Sequence, residues 1–244
     1  MTEGEILMEN WRGYDLEKRE LFGREVIIVY PKKPNGRWAL KTEYFDAFPE
    51  VELELLSLGY HIFHIKNITR WHKEEDTEAR ARLAEYVHQE MGLSKKCVIV
   101  GMSCGGMQGI YFGAKYPEYV SCMYLDAPVV NLLSCPAGLG KGSNEDFKEF
   151  EEHKGIDFMQ LLSYREHPLD YIPKLVENKI PVILVSGDAD SIVPFDENGE
   201  LLKNAYLENG CTIKTIIKEG GDHHPHSLKD NTPIIEFIKE YDRD

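Results

Sequence analysis

Nothing in the 244 residues reads as a membrane span, because no run of about 18 or more apolar residues occurs. The stretch from Met1 to Trp11 carries Glu3, Glu5 and Glu9 and has no apolar centre, so it does not read as a secretory leader. Positive charge is scarce. Lys and Arg number 28 against 42 Asp and Glu, a formal net charge of −14. Such a chain repels nucleic acid and anionic membrane surfaces and disfavours a polyanionic substrate; otherwise the charge serves solubility. Cysteines are few, at 97, 104, 122, 135 and 211, and their odd number argues against a disulfide framework. No pair has zinc-ligand spacing. Cys97 and Cys122 sit inside apolar runs and read as buried thiols of a reducing, cytoplasmic setting. Internal repeats and low-complexity tracts are absent as well.

What remains is an ordinary globular composition, 42% hydrophobic and 29% charged, of a length that suits one domain over residues 1–244. Short apolar runs recur along it: 26–30 (VIIVY), 61–65 (HIFHI), 97–101 (CVIVG), 121–125 (SCMYL), 181–187 (PVILVSG) and 211–217 (CTIKTII). Runs this continuous in Val and Ile suit strands buried on both faces of a parallel sheet. Amphipathic stretches alternate with them. Residues 75–91 place Ala79, Leu83, Tyr86, Val87 and Met91 on one side of a helix. Further helices are expected over 105–115, over 196–209 with Asn209-Gly210 as stop signal, and over 233–241 with Asn231 or Thr232 as N-cap. The alternation predicts an α/β fold, a doubly wound and mostly parallel sheet. Residues 11–25 are polar-alternating and turn-rich, and are expected as antiparallel strands at the sheet edge. Residues 131–179 separate two strands by about fifty positions, far more than a usual connection. Their aromatics predict a small cap insertion over the strand C-termini.

The chemistry concentrates at Gly101-Met102-Ser103-Cys104-Gly105-Gly106, a G-x-S-x-G pattern between a strand and a helix. A serine on so tight a turn is strained and exposed. Small neighbours let strand and helix pass it, and the N–H of the next residue, Cys104, points where an oxyanion would form. The bland alternative is a glycine-rich βα turn that binds phosphate, or a chance match. An acid and then a histidine should follow in chain order. Asp190 opens the loop after run 181–187, where catalytic groups of open α/β sheets gather. Asp188 reads as a turn cap, and Asp126, ending the run 121–125, is the second candidate. The histidine lies in Gly220-Gly221-Asp222-His223-His224-Pro225-His226. His223 is favoured, with His224 as runner-up. Such a cluster can also bind metal, but no carboxylate or cysteine is spaced to complete a site, so neither a metal nor an organic cofactor is expected. The remaining histidines read as bland: His61 and His64 in a strand, and His72, His88 and His153 at the surface. The second oxyanion donor is expected in the loop after run 26–30, as a backbone N–H near Arg37 and Trp38, with core packing as the equal alternative for Trp38.

The chain resembles small bacterial α/β-hydrolases related to the prolyl-oligopeptidase and acetyl-esterase branches. The likeness rests on Trp38-x-x-Lys41-x-Glu43-Tyr44-Phe45, the serine turn with Gly105-Gly106, Asp126-Ala127-Pro128-Val129, Gly187-Asp188-x-Asp190-x-x-Val193-Pro194, and His223-His224-Pro225-His226-Ser227-Leu228 followed by Thr232-Pro233-Ile234. It covers most of residues 24–240. It implies ester hydrolysis through an acyl-enzyme on Ser103, with a small-molecule or carbohydrate ester as substrate. Two rivals stand beside it: a serine peptidase, and a non-catalytic relative that only binds.

Overall fold

The computed structural model describes residues 7–243; Met1 to Ile6, the first part of the acidic N-terminal stretch, lie outside them. Among the described residues nine strands form one sheet. The first three, β1 (Leu7–Trp11), β2 (Tyr14–Leu21) and β3 (Arg24–Tyr30), run antiparallel, and β3 pairs antiparallel with β5 (His61–Ile65). From β5 onward the sheet is parallel, through β4 (Trp38–Lys41), β6 (Cys97–Met102), β7 (Val120–Asp126), β8 (Val182–Gly187) and β9 (Ile213–Lys218). Each of the six apolar runs lies within or across one of these strands, and the 11–25 stretch takes part in the antiparallel edge.

Alternation along the strands divides the core in two. Trp38 and Leu40 of β4 join Phe63, Ile65 and Ile99 on one face, beneath α2 (Glu74–Gln89), α3 (Cys104–Lys115), α6 (Pro168–Glu177) and α7 (Gly199–Glu208). Ala39, Ile62, Val98 and Val100 face the other way, onto α1 (Glu50–Ser57) and α8 (Thr232–Tyr241). Helix α2 buries Ala79, Leu83 and Val87, the stripe its spacing dictates. Burying each such Leu or Val contributes about 1.5–3 kcal/mol. Among the described residues no helix is long and apolar enough to cross a membrane.

Two elements depart from expectation. Strand β4 occupies the segment read as a loop; at four residues it is too short for a period to show, yet all four side chains are buried. Helix α1 went unread because Glu52 interrupts its apolar face. The fold compensates by pairing Glu52 with Lys41 of β4, both fully buried. Burial pushes the Glu52 carboxyl up, and the Lys41 ammonium pulls it part of the way back. Lys41 Nζ also donates to the Ala47 carbonyl at 3.2 Å, tying down the loop that follows its strand.

The long stretch between β7 and β8 holds α4 (Phe147–Lys154), α5 (Phe158–Ser163) and α6. Its last element, α6, packs against α3 in the helix layer. The first two instead contribute Phe150 and Leu161 to a third apolar cluster with Trp71, Cys104, Met107 and Tyr111, at the start of α3. Arg70 fastens α4 from below, with Nε 2.9 Å from Glu149 Oε1 and a terminal nitrogen 2.9 Å from Asp146 Oδ1.

Candidate active site

Strand β6 ends at Met102, and the chain reverses at Ser103 into α3. Ser103 has φ 54° and ψ −122°, a region costing a non-glycine residue about 1–3 kcal/mol. The turn is held by its backbone. The Ser103 N–H donates to the Asp126 carbonyl at 2.9 Å, and the Ser103 carbonyl accepts from Gly106, Met107 and Val129. Gly101 and Gly106 are sterically required. A Cβ on Gly101 would stand 2.7 Å from the Gly105 carbonyl oxygen, and one on Gly106 would stand 2.5 Å from Pro128 Cβ. Gly106→Ala is therefore expected to cost about 1–3 kcal/mol of stability by overpacking, read by denaturant unfolding. Unchanged stability would show that the Pro128 loop yields freely.

The candidate acid and histidine, Asp190 and His223, stand on the loops after β8 and β9, which are stitched together. Ala189 N–H donates to the Gly221 carbonyl at 3.0 Å, and Gly220 N–H to Asp188 Oδ1 at 2.7 Å. Asp188 is exposed and acts in this turn. Asp190 is buried, and its Oδ1 accepts the N–H groups of Ile192 and Val193 at 2.9 and 2.7 Å. That leaves Oδ2 for His223, whose Nδ1 lies 2.8 Å away. The opposite ring nitrogen, Nε2, is 3.1 Å from Ser103 Oγ. One hydrogen-bonded series thus runs from a carboxylate through an imidazole to a strained hydroxyl. With the Nδ1 proton held on the carboxylate side, Nε2 is free to accept the proton of Ser103.

The other candidates of that region are placed elsewhere. Asp126 belongs to His226: its Oδ1 lies 3.0 Å from His226 Nδ1, and its Oδ2 accepts from Ser227 N–H at 2.7 Å and Tyr124 Oη at 2.8 Å. Burial works to raise the Asp126 carboxyl, but the His226 hydrogen bond, Lys218 and Tyr124 outweigh it and hold the carboxyl below its usual value. His224 is exposed and stacks on Phe48, with ring centroids 5.5 Å apart.

The expected second oxyanion donor is corrected by β4. Trp38 begins that strand and points into the core, its Nε1 donating to the Ser94 carbonyl at 2.9 Å. Arg37 reaches the Asp242 carbonyl at 2.7 Å. The parallel pairing sets Lys41 beside Val100, so Trp38 lies three residues, roughly 10 Å, from the edge that bears Ser103. The segment at that edge is 42–48, after β4. Thr42 Oγ1 donates to the Gly105 carbonyl at 2.6 Å, and Tyr44, at φ 54°, lies against Arg70 and Cys104. Cys104 opens α3 with its thiol buried. Burial pushes that thiol up to about 12, against a smaller downward pull from Tyr44 and Arg70, so it remains protonated beside the serine.

A cavity of about 400 Å³ opens over Ser103, walled by Tyr44, Phe48, Trp71, Met102, Cys135 and Ile192, with His223, His224 and His226 at one side. The walls from Phe48, Arg70 and Trp71 were not legible in the sequence. Tyr44 stood in a motif but carried no assigned role. His72, expected at the surface, is instead buried, stacked on Tyr111 at 3.9 Å. Burial and then the charges of Lys154, Arg80 and Lys115 push it down to about 2. It stays a neutral packing group.

A buried parallel sheet covered on both faces, with a strained serine between its central strand and the next helix, decides the architecture. The chain has the α/β-hydrolase fold. The family model described as alpha/beta hydrolase fold matches residues 63–152. Solved structures with this α/β-hydrolase fold superpose on nearly the whole chain. An acylaminoacyl peptidase from Pyrococcus horikoshii is 16% identical at a TM-score of 0.66, over 92% of this chain and 38% of that one. A puromycin-hydrolysing peptidase of Mycobacterium tuberculosis is 12% identical at 0.70, over 99% and 40%. A candidate lipase from Acinetobacter baumannii AYE is 15% identical at 0.63, over 96% and 93%. The chain thus spans about two fifths of the length of the two peptidases and nearly all of the third protein.

Proposed function

We propose that the chain is a serine hydrolase that forms an acyl-enzyme on Ser103, and that its substrates are carboxylic esters. The observation that carries the reading is the series from Asp190 through His223 to Ser103, with donor–acceptor distances of 2.8 and 3.1 Å. In the first step His223 Nε2 takes the hydroxyl proton while Ser103 Oγ attacks the ester carbonyl. Asp190 holds the ring in the required tautomer and stabilises the imidazolium that forms. The oxyanion is received by the Cys104 N–H at the start of α3, where the helix dipole adds to the hydrogen bond. A backbone or side-chain donor of segment 42–48 completes the hole. His223 then returns the proton to the departing alcohol, and water repeats the sequence on the acyl-enzyme.

The cavity supports a small substrate with an apolar part against Met102 and Ile192. Its aromatic wall of Tyr44, Phe48 and Trp71 suits the face of a sugar ring, consistent with an acylated carbohydrate. Of residues 131–179, expected as a cap, 131–167 act as one in this reading, since Cys135 and Asp146 belong to the cavity wall, whereas α6 lies in the helix layer. The five free thiols, four of them buried, support a reducing, cytoplasmic setting.

A peptidase is the second reading, favoured by the likeness to two peptidases. A panel of p-nitrophenyl esters, acetylated sugars and aminoacyl anilides separates them. Short-chain esters are expected to be turned over with kcat/KM at least about a hundredfold above any anilide, a difference of roughly 3 kcal/mol in the barrier. Anilides turned over faster than esters would make the chain a peptidase. A folded protein inert to the whole panel would favour a binding role.

A further inference from the structure

The loop after β9 brings three imidazoles into one corner of the cavity. The ring centroids of His223, His224 and His226 form a nearly equilateral triangle, with separations of 4.8, 5.0 and 5.0 Å. One ring nitrogen of each lies within 4.8 Å of the other two. Two of the rings are held in the same way: His223 Nδ1 sits on the Asp190 carboxylate at 2.8 Å, and His226 Nδ1 on the Asp126 carboxylate at 3.0 Å. A carboxylate at Nδ1 keeps the proton there and leaves the Nε2 lone pair free. This is how an outer carboxylate orients and strengthens an imidazole for metal ligation. The third ring, His224, is exposed, stacks on Phe48 and meets the other two rings edge-on, with no carboxylate at its nitrogens, so it can turn.

The spacing suits a small dication after modest adjustment. Four-coordinate zinc, with metal–nitrogen bonds of about 2.0–2.1 Å, sets its ligand nitrogens roughly 3.3 Å apart. Rotation of His224 and small tilts of the other two rings close the remaining gap. The two carboxylates behind the rings offset the charge of the ion, and neutral imidazoles favour zinc, copper or nickel over magnesium or calcium. The histidine cluster stood out in the sequence, but its outer carboxylates did not, because both lie far away along the chain, Asp126 at the end of β7 and Asp190 in the loop after β8.

We propose that His223, His224 and His226 form a binding site for a divalent transition ion of the zinc type, and that its occupancy silences Ser103. The silencing follows from one lone pair. His223 Nε2, 3.1 Å from Ser103 Oγ, either accepts the serine proton or ligates the ion. Coordination uses the lone pairs of neutral rings and requires no oxidant or co-reactant. The silencing rests on the serine-hydrolase reading above; the ion site does not.

The Ser103→Ala protein tests the site without the nucleophile. Titrated with Co2+, it is expected to develop the visible absorption of nitrogen-ligated cobalt, saturating at one equivalent and displaced by Zn2+. Adding His224→Ala or His226→Gln is expected to weaken apparent affinity by at least the ten- to hundredfold (roughly) that loss of even an outer partner costs. His224 is exposed, so His224→Ala keeps its fold even where the buried His226→Gln does not. In the unmodified protein, saturating Zn2+ is expected to block labelling of Ser103 by a fluorophosphonate, and a chelator to restore it. Absence of the cobalt band, or a band that His224→Ala leaves unchanged, overturns the site. Full labelling at Zn2+ concentrations that saturate the band overturns the silencing. A His224-dependent band in a protein with no hydrolase activity upholds the site and retires the hydrolase reading instead.

Discussion

Ser103→Ala is expected to abolish ester hydrolysis, lowering kcat by about four to six orders of magnitude, while leaving the fold in place. The hydroxyl makes one side-chain hydrogen bond, to His223 Nε2 at 3.1 Å. The turn itself is fixed by the Ser103 N–H and carbonyl, which alanine retains. Alanine suffers the same positive φ as serine, so the strain of the turn is unchanged. Melting temperature should stay within a few degrees of the parent, since one part-buried hydrogen bond facing the cavity is worth about 1 kcal/mol. Kinetics on the best ester of the panel, with unfolding followed in parallel, provide the check. Activity within tenfold of the parent in a purified, folded variant would remove Ser103 from the chemistry.

Asp190→Asn and Asp126→Asn are expected to fail in different ways. At Asp190, Oδ1 already accepts two backbone N–H groups. Asparagine would keep its oxygen there and turn its amide toward His223 Nδ1. That nitrogen must then accept, which puts the ring proton on Nε2, where it cannot take the serine proton. A loss of about ten-thousandfold in kcat is expected, with little change in stability. At Asp126 the loss falls on stability. Its carboxylate serves His226, Ser227 and Tyr124, with Lys218 Nζ 3.7 Å away. Replacing it by asparagine leaves buried partners mismatched, at a cost of about 2–4 kcal/mol, with a milder effect on turnover than at Asp190.

Asp126→Asn should also differ from the parent protein in acid. The Asp126 carboxyl is held below its usual value in the folded state. Its contribution is therefore fully present above the unfolded pKa of about 3.9 and is lost as pH falls through the lower folded value. The parent should lose stability across that acid window, and Asp126→Asn should lose less there. An Asp126→Asn protein with parental stability and no activity would move the acid of the mechanism to β7.

Much of the fold was legible because the strands are buried on both faces and so read as continuous Val- and Ile-rich runs. Where elements stayed hidden, the reason lies in tertiary pairing. The Lys41–Glu52 pair permits a charged residue on the buried face of α1, and neither residue alone signals that. Trp38 was legible as important yet ambiguous between loop and core, and four residues of β4 gave no period to settle it. Ser103, Asp190 and His223 were legible as a set because they follow successive strands in the chain order that such a series needs, and the structure brings them together. The cavity walls were not, because Phe48, Arg70 and Trp71 come from loops after different strands and meet only once the sheet is assembled. The single-residue choice among three histidines was aided by chain spacing, but their joint arrangement depends on Asp126 and Asp190, more than thirty residues away along the chain.

The central claim is that Ser103 is a nucleophile activated by His223. Its most direct test is mass spectrometry of the protein after brief exposure to a fluorophosphonate, with peptide mapping of the adduct. One adduct is expected, on Ser103, forming in the parent protein and failing to form at a comparable rate in His223→Ala. No adduct on the folded parent protein, an adduct on another residue, or labelling of Ser103 that His223→Ala leaves undiminished would contradict it.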